Sequence, residues 1–509
     1  MFSCSILAVL PAVGIALHSR AATSHGQQLG LLAGRAEPET QGPECSQLTN
    51  VQGTHYTMPV LIGTPPQKFD LIPDTGSPWV IVADSKCTVC DCAKLNKCVN
   101  RNKSRTLHVP TLETNLPETH VLSFGSGPIS ILVATDEVRI DGTKIRHTMD
   151  RGVLLMEDNG LGFSGPFEGL FGLGIPEYKL GQAFESMKHS YTDGFLHRAG
   201  IQSFSLCLSD RGWSGEGGVL RYNAPEGKEL LGITERTMHW QLAFYGATVG
   251  AGKQPPEFCN YAAPGQSSPC AAIIDSGTTY ILGPYDQLDK LFDGLCDGWE
   301  RCRTKYTRFR DGVMAASKRI GSGNSSQAKP DLMSKAELFQ LLLNDCHTWM
   351  NKKNGIQELP KVSWVVKGRA GNEFHLELDP WDYIISEQTY KMQITYGKID
   401  GMTYVTGWER RSKQIWACNP AFAFMDFPTE RNGPAWILGL PIFYSHRVSY
   451  NIEHNPPSMS FTKELCGGCT KAHRELHRWN RTGGQDTPKM PRKMRGEPHL
   501  PQAARKMVL

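Results

Sequence analysis

The chain has 509 residues, too many for one ordinary hydrophobic core and enough for two or three domains. Apolar residues make up 40% and charged residues 20%, which fits a soluble globular protein. A net charge of only +4 gives no case for nucleic acid.

The N-terminus carries an apolar run from Ser5 to Leu17, short for a membrane span and the right size for the core of a secretory signal. Small residues at Ala21-Ala22 offer a cleavage point, so 1–22 is read as a signal peptide and 23–50, polar and Gly-rich, as a short propeptide or leader. No later stretch is long and apolar enough to span a bilayer, so no transmembrane anchor is expected. Strand-like runs begin at Tyr56–Ile62. After the turn Gly63-Thr64-Pro65-Pro66-Gln67, the run Lys68–Ile72 alternates as a strand does. Further β-runs are predicted at 129–139, 145–156, 203–208, 237–250 and 271–280, and no long amphipathic helix before residue 284, so the chain reads as mostly β. A helix is predicted from Gly283-Pro284 onward, with Tyr285, Leu288, Leu291 and Phe292 at helical spacing, and another over Met333–Trp349. The Ser/Gly-rich piece 310–332 between them is read as a surface insertion or loop. The tail 467–509 holds ten Lys/Arg against three Asp/Glu and is read as disordered. Fifteen cysteines, clustered at Cys87, Cys90, Cys92 and Cys98, point to an oxidising compartment. Cys4 leaves with the signal segment, and the remaining fourteen form an even set. Sequons at Asn102, Asn324 and Asn480 are compatible with export.

Two short strings carry the chemistry: Asp74-Thr75-Gly76-Ser77 and Asp275-Ser276-Gly277-Thr278, about 200 residues apart. Each sets a carboxylate on a tight glycine turn, with a hydroxyl three residues on. Two carboxylates in one site cannot both ionise cheaply, so they share a proton and titrate as a unit. The ionised member can take a proton from water while the protonated member hydrogen-bonds a scissile carbonyl, which leads to amide hydrolysis with no metal, cofactor or covalent intermediate. Ser77 and Thr278 are placed to donate to the outer carboxylate oxygens, and Gly76 and Gly277 are expected to permit the sharp turns. The scattered histidines and the lack of a Gly-x-Ser-x-Gly elbow give no support to serine or cysteine catalysis.

These motifs resemble those of pepsin-like (family A1) aspartic proteases, over about Tyr56 to Glu464. Ile62–Gln67 is similar to the segment leading into the first catalytic turn. Leu170–Gly174 and Trp436–Gly439 resemble the apolar-Gly motifs behind the two turns, and Val121–Gly127 the flap hairpin. The resemblance implies an all-β, bilobal fold with pseudo-two-fold symmetry and short helices. Its lobes are placed at 51–235 and 236–465, with an insertion at about 296–332 and a basic tail at 466–509. It implies catalysis by Asp74 and Asp275, and a substrate cleft with Phe124, Gly125, Ser126, Trp79 and Thr279 in or beside it. The expected partners are peptide or protein substrates in extended form, met by a monomer in the secretory pathway, either secreted or in an acidic vesicle or vacuole. It further implies disulfides at Cys346 with Cys418 and Cys259 with Cys270. The Cys87–Cys98 cluster is richer than in pepsin and resembles the nepenthesin-type and plasmepsin V-like branches. Four thiolates at that spacing suit zinc as well, and in an exported chain disulfides are the expectation. Two departures stand out: Phe124 replaces the family's flap tyrosine, and Pro73 removes a backbone donor from a strand that should be central. They motivate one alternative, a catalytically weak or inactive peptide-binding protein on the same fold.

Overall fold

The structure is a computed structural model. It describes residues 44–469, apart from 52, 91–96, 162–167, 177–193, 210–216, 236, 251–257, 323–332, 351–355, 400–401 and 465. The signal and most of the leader, Cys92, Asn324 and the tail with Asn480 therefore lie outside the described residues.

Among the described residues the strands form a thirteen-stranded sheet, a seven-stranded sheet and a two-stranded ribbon. The predicted β-runs at 129–139, 145–156 and 203–208 fall in the strands Gly127–Ile140, Arg146–Asn159 and Ser203–Leu208. The run 271–280 is only part strand: Cys270–Ile274 is extended, and the second aspartate turn follows it. Apolar alternation explains the central hairpin. In Gly127–Ile140, Ile129, Ile131 and Val133 are buried on one face and Leu132 and Ala134 on the other, so the strand is covered on both sides where it pairs with Arg146–Asn159.

The two halves of the chain repeat one construction. Strand Gln67–Asp74 runs parallel to Gly169–Gly172, pairing Ile72 with Leu170 and Asp74 with Gly172. Strand Cys270–Ile274 runs parallel to Ala435–Leu438, pairing Ile273 with Ile437. In each half an apolar strand thus threads beside the strand that ends in the aspartate turn.

Three features bear on the ends and boundaries. Strand Cys45–Val51 overlaps the stretch assigned to the leader, and it pairs with Gly218–Tyr222 and with His55–Ile62. The start of the supposed tail is tied down, because Cys469 is bonded to Cys45 and Cys466 to Cys207. Strands Arg447–Asn451 and Ser458–Thr462 join the first sheet through Ser203–Leu208, so the lobes do not separate at one point in the sequence.

The loop reading of 310–332 is corrected. Helix Tyr285–Gly298 forms on the predicted face, with Leu288, Leu291, Phe292 and Leu295 buried, although Tyr285 itself is exposed. Helix Glu300–Ser322 then runs through most of the piece read as a loop. Its inner stripe is Cys302, Tyr306, Phe309, Val313 and Ala316, spaced four and three residues apart, and this stripe outweighs the poor helix propensity of its Ser and Gly. Helix Lys335–Asn344 starts at a Ser334/Glu337 capping box. The helices pack on a long hairpin, Ile384–Ile399 with Met402–Pro420, that the sequence reading does not contain. Asn344 anchors it by accepting from the Met392 N–H at 3.0 Å, and the Cys346–Cys418 disulfide ties helix to strand.

Candidate active site

Each aspartate sits where its strand stops pairing. Asp74 ends strand Gln67–Asp74, and the Leu173 N–H donates to its carbonyl at 2.6 Å. The Asp275 N–H donates to the Leu438 carbonyl at 3.1 Å. The apolar-Gly segments therefore brace the two turns from behind.

The carboxylates are held alike. Asp74 accepts from the Gly76 N–H at 2.9 Å and from Ser77 Oγ at 2.5 Å. Asp275 accepts from the Gly277 N–H at 2.8 Å and from Thr278 Oγ1 at 2.5 Å. Both side chains are nearly buried, at 5% and 9% exposure. Burial first, and then the negative charge of Asp275, hold the Asp74 carboxyl well above the usual carboxylate range; the bonds from Ser77 and Gly76 oppose this without cancelling it. A carboxyl that keeps its proton beside a second carboxylate is the arrangement that acid–base hydrolysis needs.

Gly76 and Gly277 both lie in the tight turns, and crowding gives a further reason for them. Neither Gly76 nor Gly277 is among the residues with positive φ. What each lacks is room: a Cβ on Gly76 would lie 2.9 Å from Asp275 Oδ1, and one on Gly277 would lie 2.4 Å from Asp74 Oδ1. Each glycine faces the other lobe's carboxylate, and any side chain would push the pair apart.

The second residue of each string does work that the sequence reading missed. Thr75 Oγ1 donates to the Ile274 carbonyl at 2.9 Å and accepts from the Ser276 N–H at 2.9 Å. Ser276 Oγ donates to the Pro73 carbonyl at 2.7 Å and accepts from the Thr75 N–H at 3.1 Å. These four reciprocal bonds lock one turn to the other across the pseudo-two-fold. They also account for Pro73. Antiparallel pairing on its strand ends at Leu71 with Met58, so Pro73 lies past that ladder, and the carbonyl it retains is the group the site uses.

The flap hairpin closes over this floor. Strands Thr119–Phe124 and Gly127–Ile140 meet at Gly125 and exposed Ser126, and a Cβ on Gly125 would come 2.4 Å from the Met425 methyl, so the tip rests on the opposite wall. Phe124 packs edge-on against Trp79 with ring centroids 6.2 Å apart, and the Trp79 Nε1 is buried with no partner among the described residues. Losing the tyrosine hydroxyl keeps the aromatic cover and leaves an indole donor unused. Thr279 points elsewhere than into the cleft floor: its hydroxyl donates to the Thr54 carbonyl at 2.6 Å. His239, which sequence reasoning passed over, places Nδ1 3.2 Å from the Gly76 carbonyl.

The cysteines pair as Cys87–Cys90, Cys259–Cys270, Cys296–Cys302 and Cys346–Cys418, besides the two terminal bonds, and Cys98 is also disulfide-bonded. With these thiols in disulfides, the zinc alternative for the cluster loses its ligands. Among the described residues no group of three or more His, Cys, Asp or Glu is placed to hold a metal ion, and no helix is long and apolar enough to cross a membrane.

Comparison with known proteins agrees with this geometry. The family described as eukaryotic aspartyl protease matches residues 55–307. Cathepsin E of Mus musculus is 23% identical over 398 residues, covering 77% of this chain and 76% of that protein. Procardosin-B of Cynara cardunculus is 28% identical over 242 residues, 47% of this chain and 44% of its own length. Pepsin-2B of Gadus morhua is 27% identical over 253 residues, 49% of this chain and 71% of its own. The chain thus spans about three quarters of the mouse protein and under half of the Cynara protein. With two aspartate turns locked face to face under a flap, the chain contains a pepsin-like aspartic protease domain.

Proposed function

We propose that Asp74 and Asp275 are the catalytic pair and share one proton, with Asp74 favoured to hold it. The observation that carries this is the mutual burial of the two carboxyls, each held by its own glycine N–H and hydroxyl, with the Asp74 carboxyl raised by burial and by Asp275. The charged member takes a proton from a water lying between them. The protonated member donates to the scissile carbonyl oxygen, and the water oxygen adds to the carbon. The resulting diol collapses when a proton passes to the nitrogen, which breaks the C–N bond. Ser77 and Thr278 fix the carboxylate planes, so little reorganisation accompanies the proton transfers. The flap edge strand Thr119–Phe124 offers backbone groups to an extended substrate, and the walls offer alternate side-chain pockets.

The protein acts as a monomer on peptides or proteins, with no part for nucleic acid, and travels the secretory pathway after loss of the signal 1–22 and of the leader before Cys45. The many disulfides support an oxidising compartment, and the raised Asp74 carboxyl suits secretion into, or residence in, an acidic vesicle or vacuole. The bonded Cys87–Cys90 pair beside Cys98 is the feature that favours a place near the nepenthesin-type or plasmepsin V-like branches. The test is a mixed peptide library incubated from about pH 3 to about pH 7, with and without a statine-type inhibitor. The expected result is cleavage in acid that the inhibitor abolishes. Folded protein that binds peptides and cleaves none at any pH would overturn the reading in favour of a binding protein.

A further inference from the structure

His239 stands where a single imidazole can act on both aspartates. Its backbone is pinned on both sides. Thr237 Oγ1 accepts from the His239 N–H at 3.0 Å and donates to its carbonyl at 3.1 Å, and the neighbouring Trp240, fully buried, donates its Nε1–H to the Leu173 carbonyl at 2.9 Å. The ring is closed in by Phe427, edge-on with centroids 6.0 Å apart. Because the Gly76 carbonyl carries no proton, Nδ1 must be the donor in their 3.2 Å contact, and Nε2 is left with the lone pair that takes up a second proton. The same Gly76 donates its N–H to Asp74 Oδ1. One hydrogen-bond path therefore runs from the ring through the glycine to the first aspartate, and the same glycine lies against the second, where a Cβ on Gly76 would be 2.9 Å from Asp275 Oδ1.

We propose that His239 is a positioning residue for the aspartate pair: it holds the Gly76 turn and, once protonated, sets a cation against Asp275, so that the acid limb of peptide hydrolysis is governed by three groups and not two. This rests on the protease reading of the pair. The Asp275 carboxylate, packed against Gly76, acts on the ring through its charge. The Gly76 turn contributes its carbonyl and, behind it, an Asp74 carboxyl that keeps its proton; the opposite side contributes the Phe427 ring, and Asp426 beside that ring is exposed. Burial lowers the ring's affinity for a proton, and Asp275 and the Gly76 carbonyl only partly restore it. His239 thus gains its charge further into acid than a surface histidine does. Coupling is reciprocal: whatever the Asp275 charge does to hold a proton on His239, that proton does to keep the pair singly ionised. A partly shielded unit charge nearby shifts a neighbour by something on the order of half a pH unit to one unit.

The discriminating variant is His239→Gln, which keeps an amide donor for the Gly76 carbonyl and has no titration. The acid limb of kcat/KM should move up by about half a pH unit or more, so that activity at the foot of the limb falls about threefold. His239→Phe, which loses the donor too, should show the same shift with a lower plateau. Independently of activity, the His239 ring is followed by NMR in histidine-labelled protein, with its resonance assigned by its loss in His239→Gln. In Asp275→Asn the ring should titrate lower by a similar amount. A His239→Gln profile that superimposes on wild type, or a ring titration unmoved by Asp275→Asn, overturns the proposal. A wild type that cleaves nothing counts against the protease reading alone, because the ring titration still decides the His239–Asp275 coupling.

Discussion

Replacing His446 by leucine should stabilise the protein in acid and change it little near neutrality. His446 follows helix Leu440–Ser445, is 1% exposed and packs edge-on against Phe461 with ring centroids 6.4 Å apart. Neither ring nitrogen has a hydrogen-bond partner among the described residues. Burial, aided by the nearby Lys463 ammonium, lowers its pKa from 6.5 to about 4. The sign follows from proton counting: between those values the unfolded chain binds the proton and the folded chain does not, so stability present above about pH 6.5 is lost as pH falls toward about pH 4. A shift from 6.5 to about 4 corresponds to about 3 kcal/mol in full, with about 2 kcal/mol of it gone by about pH 5. The assay is urea unfolding of wild type and His446→Leu at about pH 7, 5 and 4. The gap between the two midpoints should widen steadily in favour of the variant as pH falls, by about 2 kcal/mol between about pH 7 and about pH 5. Parallel midpoint curves at all three pH values would refute the reasoning, since they would mean that the ring is hydrated or paired in the folded state.

Thr75→Val keeps the shape of the side chain and removes both of its cross-lobe bonds, leaving the Ile274 carbonyl and the Ser276 N–H unsatisfied in a buried seam. The expected cost is about 2–4 kcal/mol, read from denaturant midpoints, with a fall in kcat larger than any change in KM. Gly277→Ala sets a methyl 2.4 Å from Asp74 Oδ1 and should abolish peptide cleavage while leaving the thermal midpoint within a few degrees; retained cleavage would show that the carboxylates can separate without penalty. Phe124→Tyr offers an acceptor to the unpaired Trp79 indole, and a gain of about 1 kcal/mol in the closed flap should appear as a KM lowered several-fold; an unchanged KM would mean that the indole is already hydrated in solution.

What could be read from the sequence was local. An aspartate, a glycine and a hydroxyl within four residues state their chemistry without a fold, and so do the apolar strands that lead into them. The lock between Thr75 and Ser276 could not be read, because it joins residues 201 apart through groups that look like ordinary turn hydroxyls. The crowding at Gly76 and Gly277 is hidden for the same reason: it comes from the other lobe, and local backbone rules point only to turn geometry. The stripe Cys302, Tyr306, Phe309, Val313 and Ala316 was present in the sequence, but the surrounding Arg, Lys, Ser and Gly masked its period. The long hairpin Ile384–Pro420 draws its support from helices elsewhere in the chain, so its own sequence gives weak signals. A lone histidine such as His239 acquires meaning only once the Gly76 carbonyl is beside it.

The central claim is that two aspartates sharing a proton do the work, and the most direct measurement is peptide cleavage by wild type, Asp74→Asn and Asp275→Asn across about pH 3 to about pH 7, with folding of each checked by its thermal midpoint. The account expects cleavage by wild type in acid, a loss of at least about a thousandfold in each variant, and thermal midpoints that show both variants folded. Either folded variant cleaving within about tenfold of wild type would contradict it.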